Sequence, residues 1–465
     1  MPVQIPDQLL HSLEAIKGFD KDSFVGIHAH PVPLTSIRFN PAKSFAANGN
    51  ELMQQLSFPV SKPVPWSTTG YYLNGRPSFT FDPLFHAGCY YVQEASSMFL
   101  EQALKQLVDL CRPLKILDLC AAPGGKSTHI QSLLSKDSLL VSNEVIKSRA
   151  HILKDNMIKW GTGNAVVTHN DPADIGKLEN YFDVIVVDAP CSGSGLFRRD
   201  EEAIDEWSLN NVALCSQRQQ RILADIWPAL KKNGLLIYST CSYSREEDED
   251  ILDWLNENFQ IEPISLAVDS EWGITESASG NGIPACRFWP YQTGGEGFFL
   301  SCLRKLEGEE VNEWRPKKQL EMLTKKETEI AGSFVSVAEN AMIKNNNLVY
   351  AIPLSLKEDV NRLLDRLRVL YSGTIAGELF GNKFAPAHSL AMSQLTRTEI
   401  PFTELDREEA IRYLQRKDLA LPSAEQGWQL VRYRGFNLGW VKVLSNRVNN
   451  YYPKELRILK ELQGD

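Results

Sequence analysis

The sequence predicts an α/β protein built on a doubly wound, mostly parallel sheet with an antiparallel last strand, and three observations carry that prediction. From Leu114 to Leu303, short apolar β-branched runs alternate with amphipathic helical stretches, the mark of successive βα units. The first run ends on a Gly-rich turn that opens a helix, Asp118-Leu119-Cys120-Ala121-Ala122-Pro123-Gly124-Gly125-Lys126-Ser127. The run Phe182-Asp183-Val184-Ile185-Val186-Val187-Asp188 has no polar face, as a strand buried on both sides requires, and leads into Ala189-Pro190-Cys191-Ser192-Gly193-Ser194-Gly195. Open α/β sheets bind ligands at this carboxyl edge, so chemistry is expected there.

Strands are expected at Lys115–Leu119, Leu139–Asn143, Ala165–Thr168, Asp183–Val187, Leu235–Ser239 and Phe298–Leu303, with helices near Ser127–Leu134, Ile146–Trp160, Val212–Lys231 and Glu246–Asn258. Phe298–Leu303 follows the Gly294-Gly295-Glu296-Gly297 turn rather than a helix, so it is expected to return antiparallel. Upstream, residues 5–17 read as an amphipathic helix capped by Asp7, and Ser36–Pro41 as a short strand with Arg38 and Asn40 on one face. Downstream, residues 305–330 read as a solvated linker and helix. Short strands (Leu348–Ile352, Gly427–Tyr433, Phe436–Val443) and helices (Lys357–Leu370, Asp406–Arg416) then form one or two small mixed domains. The expected division is 1–100, 101–305, 306–395 and 396–465.

Composition narrows the function. The 465 residues carry a net charge of −9, so any nucleic-acid face must be local. The final stretch offers one: Arg432, Arg434, Lys442, Arg447, Lys454, Arg457 and Lys460 are interleaved with Tyr433, Phe436, Trp440, Tyr451 and Tyr452. No apolar run approaches the ~18–20 residues of a membrane span, and the expected compartment is the cytoplasm. The 8 cysteines have no Cys-x-x-Cys spacing, and His28 and His30 lack a third ligand, so no metal is expected.

Two nucleotide readings compete for the turn at 118–127. A phosphate loop needs glycine where Cys120 stands, which removes that reading. An adenosyl cofactor needs small residues at the helix N-terminus, a carboxylate after the second strand for the ribose hydroxyls, and an acid after the third for the adenine amino group. Glu144 and Asp171 stand there. The cofactor set is therefore Cys120, Ala121, Ala122, Pro123, Gly124, Gly125, Lys126, Ser127, Glu144, Asp171 and Asp188. Adjacent strands four and five each present a cysteine, Cys191 and Cys241, beside Asp188 and Lys126. A thiolate there could act as a nucleophile. Glu246-Glu247-Asp248-Glu249-Asp250 reads as the acidic first turn of the next helix, without a catalytic role.

Ala-Ala-Pro-Gly-Gly-Lys (121–126), Asp-Ala-Pro-Cys-Ser-Gly (188–193) and Ser-Thr-Cys-Ser (239–242), in that order, resemble the S-adenosylmethionine-dependent RNA 5-methylcytosine methyltransferases of the RsmB/NOP family. Gly377-Glu378 with Phe384–Ala391, and Gly435 to Pro453, are similar to the C-terminal region of members acting on small-subunit ribosomal RNA, a PUA-like RNA-binding module. The resemblance implies a Rossmann-like class I methyltransferase core, an N-terminal RNA-binding region, S-adenosyl-L-methionine as cofactor and carbon 5 of a cytosine in 16S ribosomal RNA as methyl acceptor. It implies that Cys241 is the nucleophile, that Cys191 assists product release, that Asp188 meets the cytosine edge and that Lys126 positions base or acid. The residues alone leave the order of the thiols open, because a Pro-Cys nucleophile also resembles the DNA cytosine methyltransferases. RNA contacts are expected at Arg38, Asn40, Arg198, Lys442 and Arg447. The chain is expected to act as a monomer. The family's other expected acceptor is tRNA, and a non-catalytic ribosome-assembly role is disfavoured by the two thiols. The chain departs from the family at Asp248, where asparagine is common, and at Ser194, where some members carry glutamate.

Overall fold

The computed structural model describes residues 5–29, 34–43, 50–308, 316–317, 319–421 and 424–461. Its centre is a ten-stranded sheet: β1 (Lys115–Asp118), β2 (Leu139–Asn143), β3 (Ala165–Thr168), β4 (Phe182–Asp188), β5 (Leu230–Thr240), β6 (Ile261–Ile264), β7 (Thr275–Ala278), β8 (Pro284–Phe288), β9 (Phe298–Lys305) and β10 (Val369–Ser372). The strands lie in the order β7-β8-β9-β5-β4-β1-β2-β3-β10, and β6 also pairs with β9. The block β5-β4-β1-β2-β3 is parallel, and β9 returns antiparallel on β5, as expected.

Alternation along the strands sends side chains to both faces of the sheet. Leu117, Ile185 and Val187 join Ile222, Leu223 and Ile226 of helix α4 (Leu209–Ile226) and Ile251, Leu252 and Leu255 of helix α5 (Glu249–Asn258). Ile116, Val184, Val186 and Ile237 pack on the other face with Ile130 of α1 (Gly125–Leu133) and Leu153 and Met157 of α2 (Lys147–Trp160). Each fully buried valine or isoleucine contributes roughly 1.5–3 kcal/mol, so β4 is an anchored rod carrying Asp188 at its tip. Helix α3 (Pro172–Gly176) follows β3.

Several sequence expectations are corrected. Strands β6, β7 and β8 were not anticipated: all three are short, β6 and β7 are half-exposed, and the buried β8 includes Arg287 among its apolar residues, so none carries a clear period. The helix expected over Lys357–Leu370 stops at Arg366, and the chain then enters β10, pairing antiparallel with β3. Thus a strand from the 306–395 segment, where a helix was expected, completes the central sheet. The first helix runs Asp7–Leu13 with Pro6 at its N-cap, so Asp7 is a helical residue and not the cap.

The flanking regions are antiparallel sheets. Val60–Pro63, Gly70–Leu73, Ser36–Phe39 and Tyr90–Val92 form the N-terminal one. Glu321–Met322, Asn340–Asn345, Leu348–Pro353, Thr374–Phe380 and Lys383–Pro386 form the next. Gly427–Tyr433, Phe436–Val443 and Val448–Asn450 form the last, with Phe402–Glu404 joining parallel at its edge. Ile37, Phe39 and Tyr90 share one apolar core with Val431, Leu438 and Tyr452, so the N- and C-terminal regions are packed together although widely separated in sequence. The expected basic–aromatic face is largely corrected here: Tyr433, Phe436, Trp440 and Tyr452 are buried in cores, and Tyr451 is exposed.

Candidate active site

The pairing of β4 with β5 sets Asp188 opposite Ser239, so the loops that follow leave the same edge side by side. Asp188 accepts a 2.9 Å hydrogen bond from Ser239 Oγ through Oδ1, and its Oδ2 lies 2.7 Å from Lys126 Nζ. Burial opposes the Lys126 charge, but the Asp188 carboxylate outweighs it and holds the ammonium above its ordinary range. Beyond Asp188 and Ser239 the two thiols converge, with Cys191 Sγ 2.9 Å from Cys241 Sγ and both partly exposed. The hydrogen bond to Cys241, followed by burial, pushes the Cys191 thiol well up. Either sulfur can donate in this contact, and two thiols so close suit one nucleophile and one acid–base group.

Gly195 makes the convergence possible. Its N–H donates to the Cys241 carbonyl at 2.9 Å, and its carbonyl accepts from Gly297 N–H at 3.0 Å. A Cβ there would stand 2.7 Å from both the Cys241 and Gly297 carbonyl oxygens. Glycine is required for that close approach.

The loop between β1 and α1 lies beside this pair. Gly124 precedes α1 with φ +117° and offers no side-chain cap, so the first N–H groups of a nine-residue helix face the loop. Helix α2 braces the loop from behind, through Arg149 Nη2 to the Ala122 carbonyl at 2.8 Å and Asn156 Nδ2 to the Pro123 carbonyl at 2.8 Å. Ser127 Oγ donates to Asp118 Oδ2 at 2.6 Å, while Asp118 Oδ1 is buried without a partner. Burial, reinforced by the charges of Asp188 and Glu144, raises the Asp118 carboxyl to about 7. At the end of β2, the buried Glu144 accepts from Ile146 N–H at 2.9 Å and faces Arg149 at 3.3 Å. Asp171 caps α3 through Ala173 N–H at 3.0 Å and is partly exposed.

The chain matches the family model for the 16S rRNA methyltransferases RsmB/F over residues 107–304, that for the N-terminal domain of 16S rRNA methyltransferase RsmF over 5–95, and that for the RsmF PUA domain over 401–458. It is 30% identical over 457 residues to the ribosomal RNA small subunit methyltransferase F of Shewanella loihica, spanning 94% of this chain and 91% of the relative. The corresponding protein of Aeromonas salmonicida is 31% identical over 474 residues, 97% of each chain. The chain belongs to the ribosomal RNA small subunit methyltransferase F family. A solved methyltransferase homologue from Pyrococcus horikoshii superimposes with a TM-score of 0.52 at 29% identity, covering 65% of this chain and 100% of that one. The NSun6 structure from the same organism, solved with SFG, shares the fold at a TM-score of 0.53 and 19% identity over 65% of this chain. The central sheet of this family member is thus a Rossmann-like methyltransferase core, with an N-terminal domain and a C-terminal PUA domain around it.

The structure brings Lys126, Asp188, Cys191 and Cys241 together at one edge. It places Arg38 and Asn40 elsewhere: both are fully buried, which corrects their expected contact with RNA. Arg38 donates to Gln93 Oε1 at 2.9 Å, Ser132 Oγ at 3.1 Å and Thr128 Oγ1 at 2.6 Å, and lies over the Trp160 ring. Asn40 donates to the Gly88 and Trp160 carbonyls. They bolt the N-terminal sheet to α1 and α2. Arg198 donates to the Gly294 and Gly295 carbonyls at 3.3 and 2.7 Å, tying the Cys191 loop to the turn before β9. Arg447 is exposed, and Lys442 is half-buried with its ammonium 5.3 Å from the Trp428 ring. His28 is buried and bonded to the Phe24 carbonyl; His30 lies outside the described residues.

The acidic run after β5 divides: Glu249 and Asp250 form the first turn of α5, as expected, whereas Glu246 and Glu247 lie in a short 3-10 turn before it, and Glu247, Asp248 and Glu249 are buried. Asp248 accepts from Thr240 Oγ1 at 2.6 Å and lies 3.0 Å from Arg287 Nη2, which also pairs with Glu249 at 2.5 Å. The departure from asparagine at 248 therefore braces the end of β5 and does not enter the site. Asp118 and Glu247, which lie against the cofactor loop and behind the two thiols, were not singled out by the sequence reading. The strand-end position of Asp118 was the available signal for the first; nothing local marked the second.

Proposed function

We propose that this chain transfers a methyl group from S-adenosyl-L-methionine to carbon 5 of a cytosine in small-subunit ribosomal RNA, in the cytoplasm, with Cys241 bonding transiently to carbon 6. The observation that carries this reading is the 2.9 Å approach of two thiols beside the Lys126–Asp188 pair.

The residues present fit the cofactor. The uncapped start of α1 suits a carboxylate, and the buried Asp118 Oδ1 is a polar atom still without a hydrogen-bond partner. Loop residues 120–127, with Glu144, Asp171 and Asp188, would hold it. When bound, it supplies an electrophilic methyl group.

The rest falls to the chain. Carbon 5 of cytosine is a weak nucleophile until Cys241 adds to carbon 6 and loads electron density onto carbon 5. Lys126 holds Asp188 at 2.7 Å and aims it at the edge of the base, where the carboxylate accepts from the cytosine amino group. After carbon 5 is methylated, its hydrogen must leave as a proton and the carbon 6–sulfur bond must break. Cys191 first gives its own proton to solvent water, and the resulting thiolate takes the carbon 5 proton; the electron pair of the broken carbon 5–hydrogen bond forms the carbon 5–carbon 6 double bond as the carbon 6–sulfur bond breaks and Cys241 leaves as a thiolate. The target base must be single-stranded or flipped to reach both sulfurs. Arg447 and Lys442 extend the RNA surface onto the C-terminal domain.

The test is methyl transfer from labelled S-adenosylmethionine into separated small-subunit rRNA, large-subunit rRNA, tRNA and intact 30S particles, with the product nucleoside identified by mass spectrometry. Labelled 5-methylcytidine in small-subunit rRNA, free or assembled, supports the reading. Label confined to tRNA, or another methylated nucleoside, contradicts it.

A further inference from the structure

Glu247 sits behind the two thiols, wholly buried, and each of its carboxylate oxygens accepts two hydrogen bonds. Oε1 accepts from Ser192 N–H at 2.8 Å and from Gln219 Nε2 at 3.2 Å; Oε2 accepts from Ser192 Oγ at 2.5 Å and from Ser242 Oγ at 2.7 Å. Ser192 directly follows Cys191 and Ser242 directly follows Cys241. The Glu247 main chain is fixed too, since Tyr238 Oη donates to its carbonyl at 2.7 Å. Every one of these partners is a neutral donor.

We propose that Glu247 is a positioning residue whose carboxylate clamps the two cysteine loops together and so sets the distance between Cys191 and Cys241. This rests on the reading of the two thiols as nucleophile and acid–base partner. A buried carboxylate without a cation is costly, and a smaller or apolar side chain would fill the space with less desolvation. Only a carboxylate, however, offers two oxygens that both accept, four donors in all; an amide presents one oxygen and must turn a donor toward the rest. The four-fold acceptor matches the two loops it joins. The two sulfurs must serve adjacent ring atoms, carbon 6 and carbon 5, within one bound base, so their relative placement is a requirement of the reaction and not only of packing.

The clamp is tested by the closure of the Cys191–Cys241 disulfide with diamide, followed by peptide mass mapping, in wild type, Glu247→Ala, Glu247→Gln and the double variant Ser192→Ala/Ser242→Ala. Closure reads the sulfur separation without needing any methyl transfer, so it reports on the clamp even where the proposed reaction fails. Glu247→Ala should close at least ~10-fold more slowly, with Glu247→Gln between it and wild type. In single turnover, methyl transfer should fall ~10²-fold in Glu247→Ala while the cofactor KM stays near wild type. Should Glu247→Ala fail to fold, the serine double variant, which keeps the carboxylate but loses two of its donors, should still slow closure. Wild-type closure rates in Glu247→Gln and in the serine double variant would overturn the proposal, as would a loss of activity that appears only as a raised cofactor KM.

Discussion

Lys126 Nζ lies 2.7 Å from Asp188 Oδ2 across the gap between α1 and the tip of β4, tying the cofactor loop to the strand that leads to Cys191. The same ammonium stands 5.1 Å from the Phe298 ring on β9, so three separate segments meet at one cation. Replacing it uncouples them. Lys126→Met should lower the single-turnover rate of methyl transfer by about 10²–10³-fold, the scale of losing one preorganised charge at a reacting centre. The melting temperature should change little, because the Asp188 side chain is 34% exposed and water can take over its solvation. Stopped-time assays and thermal melts check both.

Asp118 makes stability depend on pH. Burial raises its carboxyl from 3.8 to about 7 in the folded chain. The folded state therefore holds a proton that the unfolded chain releases near pH 4. The stabilisation from that proton is complete below pH 4 and is lost as pH rises toward 7. Asp118→Asn stays neutral, so relative to wild type it should gain stability progressively from pH 4 to pH 7, by up to about 4 kcal/mol. Urea unfolding of both proteins across that range measures the difference; parallel curves would contradict it.

Arg38 and Arg447 should respond oppositely to substitution. Arg38→Met leaves buried acceptors on α1 and the N-terminal sheet unpaired, at about 1–3 kcal/mol each, and should lower the melting temperature without a specific loss of RNA affinity. Lys442→Ala/Arg447→Ala should melt like wild type, bind small-subunit rRNA more weakly and reduce the salt dependence of binding. Binding isotherms at several salt concentrations separate the two.

These contrasts show what was legible in the sequence. Lys126, Asp188, Cys191 and Cys241 could be read because each sits in a short local pattern at a strand end, and the parallel order of the sheet brings strand ends together. Arg38 was misread because a period of two reports which side chains share a face, not which face another region covers. Glu247 was read as part of an acidic first helical turn without a further role because its partners Ser192 and Gln219 lie 55 and 28 residues away. Strand β10 was hidden for the same reason, since its pairing with β3 spans about two hundred residues and Lys357–Leu370 carries a continuous helical pattern. Local chemistry was therefore visible, and contacts made by long-range packing were not.

The central claim is that Cys241 carries the base while Cys191 frees it. The most direct measurement is peptide mapping of the covalent complex formed when the Cys191→Ala variant is incubated with S-adenosylmethionine and small-subunit rRNA. The account predicts a denaturation-resistant protein–RNA complex with the nucleotide on the Cys241 peptide, and no such complex with Cys241→Ala. A nucleotide found on Cys191 in the Cys241→Ala variant, or full methyl transfer by that variant, would contradict it.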